Sequence, residues 1–192
     1  MRAGTHDRLI AEITDETIGI GQMRTSKAPS RLTARAIVRD GRGRFAVVHM
    51  DQYAVASMPG GGIEPGETPA QAAVREVAEE TGWNCHILAY LGRVVENRGR
   101  LDDAKYTYWY VMERVSPAAD ALLTPAEVAE GTHCEWVPMD EMLHRIRDAK
   151  HTQECFRFWQ ARDLAALDAY QTWMKEQKNG TNRLELDADE RG

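Results

Sequence analysis

The segment Pro59–Trp83, PGGGIEPGETPAQAAVREVAEETGW, constrains the chain more tightly than any other. Pro59-Gly60-Gly61-Gly62 interrupts regular structure, and a single well-marked helix follows over Pro69 to Thr81. Thr68 suits the N-cap, Pro69 the first helical position, and Gln71 completes a T-x-x-Q capping box. Gly82 suits the left-handed position just past the helix end. Ala70, Ala73, Val74 and Val77 recur at helical spacing and are expected to form the buried stripe. Glu76, Glu79 and Glu80 are related by i,i+3 and i,i+4, so their carboxylates share one face, roughly 120° around from that stripe. Like charges so placed repel and, when partly buried, raise one another's pKa. A hard divalent cation with oxygen ligands relieves that repulsion, which points to Mg²⁺ or Mn²⁺. Without a cation, the same acids would simply be a solvated helix face.

Around this helix the chain reads as strands with a few further helices. Residues 1–30 form an N-terminal extension with a short strand within Leu9 to Ile20. Leu32, Ala34, Ala36 and Val38 alternate with Thr33, Arg35 and Ile37, and after the turn Asp40–Gly43 a second strand, Phe45 to Val48, completes an expected hairpin. Cys85 to Val95 and Lys105 to Val115 read as strands separated by a polar loop, Glu96 to Asp103. A last strand covers His133 to Val137. Asp140 can cap a helix running to Arg147, and a longer amphipathic helix covers Glu154 to Lys175. Its stripe of Phe156, Trp159, Leu164, Leu167 and Tyr170 is read as packing. The alternating Tyr106, Tyr108 and Tyr110 are read as sheet packing before base stacking. The main domain is expected over 31–177, with 178–192 a polar, frayed tail. This alternation predicts a layered α/β (α+β) domain.

Composition excludes several other classes. The 192 residues are 43% hydrophobic and 28% charged with a formal charge of -6, which argues against disorder and against nucleic acid or an anionic membrane as a partner. No apolar run approaches the roughly 18 residues that span a bilayer, and the N-terminus lacks a signal-peptide core. Cys85, Cys134 and Cys155 fit neither a disulfide framework nor a zinc pattern, so a reduced, cytoplasmic protein is expected.

The spacing of the whole segment resembles the Nudix box, G-x5-E-x7-R-E-U-x-E-E-x-G-U, with U a bulky apolar residue. Here Gly61, Glu67, Arg75, Glu76, Val77, Glu79, Glu80, Gly82 and Trp83 fill it, and an accidental match of the fixed positions has odds of about one in a million. Trp83 departs mildly from the usual aliphatic residue. The resemblance extends over about Arg31 to Met139 and implies a mixed β-sheet sandwiched between helices, here with an extra C-terminal helix. It implies Mg²⁺-dependent hydrolysis of a phosphoanhydride in a nucleotide or nucleoside diphosphate derivative, with Mn²⁺ a substitute. Glu76, Glu79 and Glu80 would bind the metal, joined by the Gly60 carbonyl. Arg75 would hold a box carboxylate, while Gly61, Glu67 and Gly82 would be structural. The catalytic set is then Glu79, Glu80 and Arg75, together with a downstream glutamate. That acid would be Glu130, six residues before Trp136, with Glu127 the runner-up and Glu135 disfavoured by its strand position. Sequence marks of ADP-ribose, diadenosine polyphosphate and NADH hydrolases are missing after the box, so the nucleotide stays open. The partner is a small nucleotide, and a homodimer is left open. The alternative is a noncatalytic Nudix domain that senses a nucleotide and acts as a regulator.

Overall fold

The computed structural model describes residues 8–118 and 123–189, with side chains as far as residue 179. Eight strands form one mixed sheet: β1 (Leu9–Thr14), β2 (Arg31–Arg39), β3 (Arg44–Met50), β4 (Val55–Ser57), β5 (Gly60–Gly62), β6 (Trp83–Arg98), β7 (Asp103–Pro117) and β8 (Thr132–Pro138). Among the described residues four α-helices accompany it: α1 (Pro69–Thr81), α2 (Pro125–Ala129), α3 (Met139–Arg147) and α4 (Glu154–Asp189). The sheet order is β1-β6-β7-β2-β3-β4, with β5 also paired to β2 and β8 to β3. The α+β class and the C-terminal helix are as expected.

The sheet sorts its side chains by the period of two that a strand imposes. On one face Ala34, Ala36, Val38, Ala46, Tyr110 and Met112 pack beneath Ala72, Ala73 and Val77 of α1. On the other face Ile37, Val47, Val94, Trp109 and Val111 meet Met142 and Ile146 of α3 and Phe158 and Leu167 of α4. The alanines of β2 and β3 carry little bulk, which allows α1 to lie close.

Several local readings need correction. The β2–β3 hairpin holds through a single ladder pair, Arg39 with Phe45, and then splays. Farther along, β2 takes β5 and β7 as partners while β3 takes β8 and β4, so the two strands diverge into separate leaves. The glycine run is not a break: it forms β5, an antiparallel three-residue strand beside Thr33–Arg35. In α1 the buried residues include Ala72, whereas Val74 is 37% exposed, because the contact line is narrower than the apolar stripe. The expected loop from Glu96 is largely β6 and β7 joined by a 3₁₀ turn at Gly99–Leu101, and Glu96 and Arg98 are buried. α3 starts after Pro138, which makes no side-chain cap, so Asp140 lies in its first turn rather than capping it. α4 runs on to Asp189, past Lys175; of the polar tail, residues 190–192 lie outside the described residues, as do 1–7 of the N-terminal extension. Tyr110 is buried against Tyr90, and Arg93 lies over Tyr106 at 4.8 Å, in line with sheet packing. Among the described residues no helix is long and apolar enough to cross a membrane.

Candidate active site

The site is built where α1 docks on β5. Thr68 accepts from the Gln71 N–H and the Gln71 side chain returns the bond to the Thr68 backbone, so both halves of the capping box are made. At the other end Gly82 takes the left-handed conformation. The helix is thereby fixed in register against the glycine strand. Gly60, at a φ of 139°, lies so close to β2 that a Cβ there would stand 2.3 Å from the Ala34 carbonyl oxygen. Its N–H donates to Glu80 Oε2 at 2.7 Å. A Cβ on Gly61 would lie 2.4 Å from Glu76 Oε2, so the missing side chain is what lets the Glu76 carboxylate rest on the strand.

Arg75 ties the acids together. It donates to both oxygens of Glu67 at 2.8 and 2.9 Å, to Glu76 Oε1 at 2.9 Å, to Glu79 Oε2 at 3.0 Å and to the Gly62 carbonyl at 2.9 Å. A planar fork can satisfy this many acceptors where an ammonium could not. The arginine holds the Glu67 carboxyl down at about 2, and the surrounding carboxylates push Arg75 above its ordinary value. Glu80 behaves oppositely. Desolvation pushes it up to about 8; Arg35 and the Gly60 N–H oppose the shift, while Glu76 and Glu127 add to it. Glu76 is also raised, chiefly by burial, against the pull of Arg75. Two carboxylates with an unfavourable negative charge form a donor set suited to a hard cation. Among the described residues no three acids or imidazoles already surround a single point, since Glu79 is turned to Arg75 and Glu80 to Gly60.

These groups face a cavity of about 520 Å³ at the open end of the splay between β2 and β3. Gly60, Gly61, Arg75, Glu76, Glu79 and Glu80 all line it, and so do Glu127 and Glu130 from the opposite rim. Glu67 stands behind Arg75, and Gly82 lies at the far end of the helix. The two rim acids differ in their bonding. The Glu127 carboxylate closes the capping box of α2, accepting from Thr124 N–H at 2.7 Å and its hydroxyl at 2.8 Å. Glu130 follows α2 as its C-cap, and its backbone carbonyl accepts from Gln52 N–H at 3.1 Å. Glu135 is bound to Arg145, on another face.

The cavity also gathers residues that the sequence did not assign to the site, among them Lys105, read as flanking a solvated loop, and Trp159, read as packing. Arg31, Thr33 and Arg35 project from alternate positions of β2, Glu96, Lys105 and Thr107 lie beside them, and Trp159 and Arg162 reach in from α4. Arg35 donates to the Met58 carbonyl at 2.6 Å, and burial followed by Arg162 lowers it to about 10. Arg162 bonds Asp163 at 2.7 Å, and Asp163 accepts from the Ser57 hydroxyl at 2.6 Å. Glu96 is bound by Arg98 at 2.8 Å. A network of buried ions therefore joins α4 to the sheet beneath the site. The available signals were arginines spaced four apart, at 31, 35 and 39, on one face of a largely apolar strand and an Arg-Asp pair inside an apolar helical stripe.

Comparison with known proteins follows the same outline. The family model described as NUDIX domain matches residues 29–159. A CMP-5'-(N-acetyl-N-hydroxy-3-aminopropyl)phosphonate hydrolase of Streptomyces rubellomurinus is 26% identical over 118 residues, 59% of this chain and 54% of that protein. An RNA pyrophosphohydrolase of Erythrobacter litoralis is 31% identical over 117 residues, 53% of this chain and 71% of that protein. The chain thus spans about half the length of the first of these relatives. A solved NUDIX hydrolase of Nitrosomonas europaea superposes with a TM-score of 0.57 at 21% identity, over 76% of this chain and 90% of the other, a likeness of fold. With the family model covering the sheet, the glycine strand and the glutamate helix in one stretch, the chain belongs to the Nudix family.

Proposed function

We propose that this chain hydrolyses a phosphoanhydride bond in a nucleotide or nucleoside diphosphate derivative, with Mg²⁺ as the working cation and Mn²⁺ able to replace it. The observation that carries the reading is the pairing of Glu76 and Glu80 against the glycine strand in a cavity wall, both raised in pKa chiefly by burial, which Arg75 and Arg35 offset only in part. Glu76, Glu79, Glu80 and the Gly60 carbonyl would hold the cation. A bound divalent cation supplies charge neutralisation of the pyrophosphate oxygens and a lowered pKa for coordinated water. Arg75 keeps Glu67, Glu76 and Glu79 in place, acting through them as a positioning residue. Glu130 takes the proton of the attacking water; its neighbour Glu127 is already committed to capping α2. Trp159 and Arg162 of α4 line the cavity on the side away from α1 and add an aromatic face and a cation to it. The relative named as an RNA pyrophosphohydrolase supports a pyrophosphate-type bond. A cytoplasmic setting and a small nucleotide partner go with this reading.

The test is phosphate release from a mixed nucleotide panel with Mg²⁺ and with excess chelator. Turnover that stops with chelator supports the proposal. Equal turnover in both removes the metal role, and tight nucleotide binding without turnover would favour the regulatory alternative.

A further inference from the structure

The cavity has a second bank whose charge the hydrolytic reading leaves unused. Arg31 and Lys105 are ladder partners on the parallel strands β2 and β7, and both open into the cavity. The other cavity-lining arginines are engaged: Arg35 with the Met58 carbonyl, Arg75 with the carboxylates and Arg162 with Asp163. Among the described residues the side chain of neither Arg31 nor Lys105 makes a hydrogen bond or an ion pair. Lys105 is nevertheless half-buried. Around it stand two cations, Arg98 and Arg31, and two acids, Glu96 and Asp103, of which Glu96 is already held by Arg98. Burial, followed by Arg98, draws its ammonium below the ordinary lysine value. A partly desolvated cation without a carboxylate of its own is unfavourable unless an anion arrives.

The position of the pair relative to the acids is set by β5. Gly60 meets Glu80 and Gly61 meets Glu76, whereas a Cβ on Gly62 would lie 3.4 Å from the Arg31 guanidinium. The cation therefore stands two residues along the strand from the Glu80 contact, about 7 Å. A group bound there is displaced from the bond held at the carboxylates. The next layer inward on the same strands is Thr33 and Thr107, whose buried hydroxyls are 2.8 Å apart.

We propose that Arg31 and Lys105 form an anion subsite for a phosphate other than the anhydride being cleaved, so that the preferred substrates are nucleotides carrying an additional phosphate. This rests on the hydrolytic reading above and narrows its substrate class. A guanidinium fork beside an ammonium suits phosphate oxygens, with the arginine giving paired bonds and the lysine a point charge. The additional phosphate has two sources, an extended 5′ phosphate chain or a phosphomonoester on the sugar.

The experiment compares ATP with ADP for the first source and NADPH with NADH for the second, in the native chain and in Arg31→Gln and Lys105→Gln. In the native chain the phosphate-bearing member of at least one pair is expected to have the higher kcat/KM. Each variant is expected to reduce that ratio by about tenfold or more, through KM rather than kcat. The pair whose ratio falls identifies the source. Arg31→Lys and Lys105→Arg should restore most of it. Equilibrium affinity for the same four nucleotides, measured in excess chelator, reads the basic pair without any hydrolysis, so a failure of the hydrolytic reading remains separable. Native ratios near one in both pairs, ratios unchanged in the Gln variants, or no recovery with the charge-preserving variants would each overturn the subsite.

Discussion

Glu80→Gln should make the metal-free protein more stable while abolishing most of its turnover. In the folded chain Glu80 titrates at about 8 against an ordinary 4.5, because desolvation opposes its charge. Below about pH 4.5 the group is protonated in both folded and unfolded states and contributes no pH-dependent difference. As pH rises from there toward about 8, the unfolded chain ionises and the folded one does not, so stability is lost across that window and levels off above it. At neutral pH the shift corresponds to roughly 3 kcal/mol. The carboxylate borders an open cavity, and solvent screening reduces the expected effect to about 1–3 kcal/mol. A glutamine keeps an acceptor for the Gly60 N–H and never ionises, so it escapes the loss. In a domain of this size that is roughly 5 °C in Tm. The assay is thermal unfolding in excess chelator across pH, repeated with excess Mg²⁺. The variant should match wild type below about pH 4.5, exceed it increasingly toward about pH 8, and gain less from Mg²⁺. With Glu80 a metal ligand, as proposed, the cation displaces its proton, and wild-type Mg²⁺ affinity should climb over the same interval. A chelated variant no more stable than wild type at about pH 8 would refute the reasoning.

The rim acids give a second prediction. Glu130→Gln should lower kcat by at least about 10²-fold with little change in Tm, the usual minimum for a general base. Glu127→Gln should be milder, since glutamine also serves a capping box, and the reverse pattern would move the role to Glu127. Gly61→Ala places a methyl 2.4 Å from Glu76 Oε2 and should displace that carboxylate. We expect a loss of about 10²-fold in kcat with a small change in Tm, because the clash falls on a flexible side-chain end. Normal turnover in that variant would mean Glu76 can work from another rotamer.

What could be read directly was local. The capping box of Thr68 and Gln71, the glycine at the end of α1, and the i,i+3/i,i+4 grouping of the three glutamates are decided within a few residues, and the structure has them in place. The approximate strand positions followed from alternation for the same reason. The sequence alone therefore determined the loop-helix that bears the acids and its membership in a family. What lay at long range only the tertiary structure decided. Glu96 and Arg98 look like loop residues until Arg162, more than sixty positions away, comes to lie beside them. Val74 looks like core until the narrow contact with the sheet leaves it outside. The glycine run looks like a break until β2 offers it an edge, and β2 has an edge to offer only because its hairpin partner leaves after one pair. Helix signals are written in neighbouring residues, whereas pairing partners and buried ion networks depend on which distant surfaces the packed sheet brings together.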